Sequence, residues 1–169
     1  MYNIINKDVI INFAKIFLIG FLVVVCTFPT NEWTYSVGID PPLFWVYNHL
    51  FETDLTAGKH IIFPHGPLAF FMYPMPENIL LATLVESILK ILLVFNLVFL
   101  LSKQADQTKW VLAFVAAYFI SIVSGFNHIV LANVILLYCN IYSNGQRTFR
   151  YLVYFLTAFA FYVKAYVAI

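Results

Sequence analysis

Asp40 stands in a setting that invites chemistry. The stretch Val37-Gly38-Ile39-Asp40-Pro41-Pro42-Leu43-Phe44-Trp45 sets one carboxylate among prolines and aromatics, shortly after a long apolar segment. A carboxylate near a membrane surface can take a proton from an acceptor hydroxyl and so act as a general base. The same residue is a strong helix N-cap, with Pro41 at the first helical position. The two roles are compatible, because a capping carboxylate can remain exposed.

Other groups are weighed in the same way. His49, His60 and His65, together with Asp54, raise the question of a metal. Their spacing matches no compact ligand motif, so ordinary polar surface is expected and no metal site. His65-Gly66-Pro67 reads as a turn, with His65 in reach of a phosphate or sugar. Glu86 and Lys90 lie four residues apart on one helical face. Charges are costly in lipid unless paired, so an ion pair facing a helix bundle is expected. A lining for a lipid-phosphate or proton path is the functional alternative. Asn96 and Asn133 are suited to hydrogen bonds between helices. Cys26 and Cys139 fall in apolar runs and read as buried thiols, not as a disulfide or metal pair.

The elements that must position these groups follow from composition. Hydrophobic residues make up 63% of the chain and charged residues 10%. A soluble domain carries about a quarter charged residues. No basic cluster suggests nucleic acid. Long unbroken apolar runs exclude a barrel of short alternating strands and point to an all-α membrane protein of about five transmembrane helices. The runs cover residues 9–28, 79–101, 110–126, 129–143 and 151–169. The first is long enough for an uncleaved anchor and lacks a signal-peptidase pattern after it.

Three parts result: 1–28 with the first span, 29–78 as a long extracytoplasmic loop, and 79–169 with four further spans. Lys7, Lys103, Lys109, Arg147 and Arg150 flank the spans on one side. The 29–78 loop has Lys59 against Glu32, Asp40, Glu52, Asp54 and Glu77. Positive residues favour the cytoplasmic side, which predicts a cytoplasmic N-terminus, an inner-membrane location and an outer acidic loop. In that loop an interfacial helix is expected from Asp40, with Leu43, Phe44, Val46, Tyr47, Leu50 and Phe51 on its apolar surface. Asn48, His49 and Glu52 form its wet side. A second short helix is expected to open at Pro67, with Gly66 at its cap, and to end before Pro74.

One span, a long outer loop with an early Asp, and then an interfacial helix resemble the start of GT-C-type membrane glycosyltransferases, the class that includes protein O-mannosyltransferases. "VGIDPPLFW" followed by "GKHIIFPHGPLAFF" is more specifically similar to polytopic bacterial proteins with a Gly-x-Asp element and an aromatic-Gly-Pro-Leu-Gly element in this loop. Here His65 stands in place of the aromatic and Ala69 in place of the last Gly. The resemblance implies transfer of a sugar from a polyprenyl-phosphate donor at the outer face. Asp40 would be the catalytic base, and His65 and Lys59 would contact the donor phosphate. No nucleotide or other cofactor is implied. Members of the class carry more spans, so a front portion of a longer protein is expected. The alternative is a non-catalytic membrane subunit, or an inactive remnant, packed against a larger membrane partner or oligomer. A transporter is disfavoured, because no span pairs broken by Gly or Pro recur in two halves.

Overall fold

The computed structural model describes residues 7–28, 40–54, 56, 59–60, 65–123, 125–144 and 149–164. Among the described residues six helices run in chain order: α1 (Lys7–Cys26), α2 (Asp40–Asn48), α3 (Ile79–Leu100), α4 (Asp106–Val123), α5 (Phe126–Asn144) and α6 (Phe149–Val163). Two 3₁₀ turns, Leu50–Glu52 and Ala69–Phe71, lie between α2 and α3. The chain is an all-α, multi-pass membrane protein. Four helices, α1, α3, α4 and α5, are long and apolar enough to cross a bilayer. The fifth apolar run carries α6, whose 15 residues span about 22 Å at 1.5 Å per residue. Residues 165–169 lie outside the described part.

α3 is the central element. It packs against α1, α4 and α5, and α6 packs on α5. One apolar cluster joins α1, α3 and α4 through Ile16, Val23, Leu93, Leu97, Ala113 and Ala117. The other joins α3, α5 and α6 to the outer segment through Leu89, Ile129, Leu137, Val153, Leu156 and Phe71. Alanines at the α4 contact let helix backbones approach closely, as membrane packing favours. Gly20 does the same on α1, where an added Cβ would stand 2.9 Å from Ile91 Cγ1.

Local chemistry sets the helix boundaries. α4 begins a turn earlier than its apolar run because Asp106 at its start pairs with Lys109 at 2.8 Å. A carboxylate in the first turn also suits the helix dipole. α5 begins already at Phe126, directly after Gly125. The thiols differ from expectation: Cys26 and Cys139 are both exposed on the outside of the bundle. In a spanning helix an apolar side chain is as stable facing lipid as facing a neighbour, so hydropathy does not assign its side.

Candidate functional site

The outer segment is tied together by one asparagine. Asn48 closes α2 and is buried. Its Nδ2 donates to the Phe44 carbonyl at 2.8 Å and to the Tyr73 carbonyl at 2.9 Å. Its Oδ1 accepts from the Met75 N–H at 2.9 Å and from Asn78 Nδ2 at 3.1 Å. Asn78 Nδ2 also reaches the Asn48 carbonyl at 3.1 Å. These bonds fasten the end of α2 to the residue before α3. The amphipathic pattern assigns Asn48 to the wet side, and the fold corrects this. A buried amide must find partners, and all but Phe44 come from residues 25 to 30 positions away. Phe44 stacks on Tyr73 at 3.8 Å and strengthens the same joint.

A second joint fastens the segment to α6. The Gly66 N–H donates to the Val163 carbonyl at 3.2 Å, and the Leu68 N–H to the Tyr162 carbonyl at 3.0 Å. These carbonyls belong to the last turn of α6 and lack partners within the helix. The His65-Gly66-Pro67-Leu68 element therefore caps α6 from outside. A Cβ on Gly66 would overlap the Tyr162 carbonyl, so only glycine permits this approach. The expected second helix is reduced to the 3₁₀ turn Ala69–Phe71. It seats Phe71 against Phe126 of α5, with ring centroids 5.3 Å apart, and Phe159 of α6 at 5.7 Å.

The sequence-derived site residues separate within this frame. Asp40 is the first residue of α2, one position past an N-cap, and its side chain lies outside the described part. His65 is half-buried. Its ring meets Tyr47 edge-on at 5.8 Å, and its carbonyl accepts from the Tyr47 hydroxyl at 3.4 Å. His65 also forms a backbone bridge with Lys164 at the end of α6. Burial pushes the Tyr47 phenol above its ordinary range. Lys59 is exposed, and its N–H closes a turn onto the Thr56 carbonyl at 3.2 Å. The α2 helix thus brings Asp40 and His65 onto one folded segment, about two turns apart along the helix from Asp40 to Tyr47.

The other histidines are engaged separately. His49 stacks on Trp45 at 4.3 Å, and His60 Nδ1 accepts from the Thr56 N–H at 3.0 Å. Among the described residues, no three His, Cys, Asp or Glu side chains come together as a metal site.

Within the membrane, Lys90 and three asparagines find polar partners. Lys90 Nζ meets Glu86 Oε1 at 2.6 Å, and the lysine side chain is 1% exposed. The same Nζ donates to the Thr27 carbonyl at 2.8 Å, just past the end of α1. A cation there satisfies an orphan carbonyl and complements the helix dipole. On the opposite flank of α3, Asn96 Nδ2 donates to Asn133 Oδ1 at 2.9 Å. Asn133 Nδ2 reaches the Leu89 and Ile129 carbonyls, both at 3.0 Å. Asn140 Nδ2 donates to the Asn96 carbonyl at 3.0 Å. Asn140 escaped the sequence reading, although its seven-residue spacing from Asn133 puts both on one face.

Lys7, Lys103, Lys109 and Arg150 all fall at one end of the antiparallel bundle, whereas Glu52, Asp54 and Glu77 fall at the other. No protein-family model, curated protein or solved structure matches this chain.

Proposed function

We propose that the chain acts on a lipid-linked substrate at the non-cytoplasmic membrane face, as a GT-C-type glycosyltransferase or a part of one. The observation that carries this reading is the folded outer segment. A connector between two spans needs only a few residues. This one is bonded to the start of α3 through Asn48 and to the end of α6 through Gly66 and Leu68. It holds the helix that begins at Asp40 against the acidic end of the bundle.

In the reaction, Asp40 takes the proton of an acceptor hydroxyl. The acceptor oxygen forms a bond to the anomeric carbon of the donor sugar. The bond from that carbon to the donor phosphate oxygen breaks, and polyprenyl phosphate leaves. Lys59 and His65 serve as phosphate contacts. Basic residues at the opposite end support an inner-membrane protein with a cytoplasmic N-terminus.

Two measurements test the reading. Asp40→Asn keeps a polar side chain of the same shape at the start of α2 but removes the base. In vesicles carrying a polyprenyl-phosphate-linked sugar, Asp40→Asn inserts and folds normally and loses about 10²- to 10⁴-fold in transfer. Undiminished transfer removes Asp40 as the base. Absence of transfer by the unaltered chain favours the subunit reading. For orientation, single cysteines at Thr56 and Gln107 are introduced with Cys26 and Cys139 replaced by serine. An impermeant reagent on intact cells labels Thr56→Cys and spares Gln107→Cys. The reverse pattern overturns the proposal.

A further inference from the structure

An apolar groove of about 1000 Å³ runs between α1 and α3. It is lined by Ile10, Phe13, Ala14, Phe17 and Phe21 of α1 and by Ile88 and Phe95 of α3. The two helices close on each other at Gly20 and Ile91, where an added Cβ has 2.9 Å of room. Toward the basic end Phe13 and Phe95 meet across the two helices, their stacked rings 6.4 Å from centroid to centroid.

Its length and its mouth identify the occupant. From Ile10 to Phe21 the α1 wall rises about 16 Å, roughly one leaflet of a ~30 Å hydrocarbon core. Lys7, Ile10, Ala14, Phe17 and Phe21 follow a three-four spacing and therefore share one face of α1. Lys7 is exposed and stands one turn beyond the groove, at its basic end. Across the mouth, Phe149 at the start of α6 packs edge-on against Phe95 at 5.9 Å and Phe99 at 5.7 Å. That contact brings the start of α6, whose second residue is the exposed Arg150, to the α3 wall. Lys15 faces elsewhere: its Nζ is 3.8 Å from Asp106 and 5.4 Å from the centre of the Trp110 ring. A neighbouring transmembrane helix would seek a longer seam lined with small residues. A half-membrane slot walled by phenylalanine and isoleucine, with two cations at its mouth, suits an acyl chain beneath an anionic head group.

We infer that the α1–α3 groove holds an anionic phospholipid, its acyl chain against Ala14 and Phe17 and its phosphate between Lys7 and Arg150. This site is at the end of the bundle remote from the outer segment, so it does not rest on the glycosyltransferase reading.

The test uses the full chain in vesicles of equal phosphatidylglycerol and phosphatidylcholine, extracted in mild detergent, with retained lipid counted by native mass spectrometry. The unaltered chain retains phosphatidylglycerol in excess. Lys7→Gln and Arg150→Gln each lower the ratio of the two lipids about fivefold, the equivalent of about 1 kcal/mol per cation. Lys103→Gln, in the α3–α4 connection, leaves it unchanged. Ala14→Trp lowers retention of both lipids and keeps their ratio. Ala14→Leu makes the same test if the larger side chain prevents insertion. A ratio near one for the unaltered chain overturns the inference, as does a ratio insensitive to both cation changes. Disulfide-linked dimers of Phe17→Cys at high yield also overturn it, because a second copy then fills the groove.

Discussion

The two flanks of α3 solve the same problem with different chemistry. Toward α5 the contact is neutral: Asn96, Asn133 and Asn140 bond to one another and to main-chain carbonyls. Toward α1 it is ionic: Lys90 joins Glu86 to the Thr27 carbonyl, and the rest of the seam is apolar. An amide ladder loses little when one member is changed, because each bond in a membrane is worth about 0.6 kcal/mol on average. An ion pair whose lysine is buried concentrates its contribution in two side chains. Removing one leaves the other charged and unpartnered, at a cost of about 3–5 kcal/mol.

Lys90→Met gives the largest expected effect. Unfolding of the reconstituted chain by a denaturing detergent detects a loss of about 3–5 kcal/mol. The double variant Glu86→Gln, Lys90→Met recovers most of that loss, since no buried charge then lacks a partner. If the double variant is as unstable as the single, the contrast between the flanks is one of packing and not of charge. Asn133→Leu comes next, at about 1–2 kcal/mol, because several weak bonds go together. A loss as large as that of Lys90→Met would make the two flanks equivalent.

Gly20→Ala sharpens the apolar half of the comparison. Its Cβ would meet Ile91 Cα at 3.1 Å, a main-chain atom that cannot rotate away. A cost of about 1 kcal/mol, at the low end for overpacking, is expected in the same assay. Tyr47→Phe has the smallest effect and lies outside both flanks. It removes a 3.4 Å hydrogen bond worth about 0.5 kcal/mol. It also reports on pH. Because burial raises the Tyr47 phenol, its contribution is complete below the ordinary phenol value of about 10. That contribution fades as pH climbs through the raised folded value. The unaltered chain loses stability in that alkaline window, and Tyr47→Phe is spared the loss.

How far the residues themselves disclosed this arrangement depends on the distance over which each signal acts. The apolar runs, the Glu86–Lys90 spacing and the start of α2 at Asp40 are local, and a single helix turn carries them. The Asn96–Asn133 bond was also foreseeable, because a buried amide in a span has few places to go. Asn48 was misread because His49 and Glu52 beside it are hydrophilic, while its partners Tyr73, Met75 and Asn78 are far along the chain. Gly66 was assigned to a cap of its own turn, when it caps another helix. Cys26 and Cys139 show a different limit, since lipid and protein interior ask for the same side chains. Lys59 and His65 share a loop in sequence, yet only His65 is built into a joint. The side chain of Asp40 lies outside the described residues.

The fastening of Gly66 and Leu68 to Tyr162 and Val163 has a consequence for biogenesis. The outer segment emerges from the ribosome long before α6, and contacts so distant in sequence form late. Until α6 is threaded into the bilayer, Gly66 and Leu68 lack the α6 carbonyls they grip in the folded chain. Any stall in translation before Val163 would leave that segment half-assembled and open to proteases on its side of the membrane.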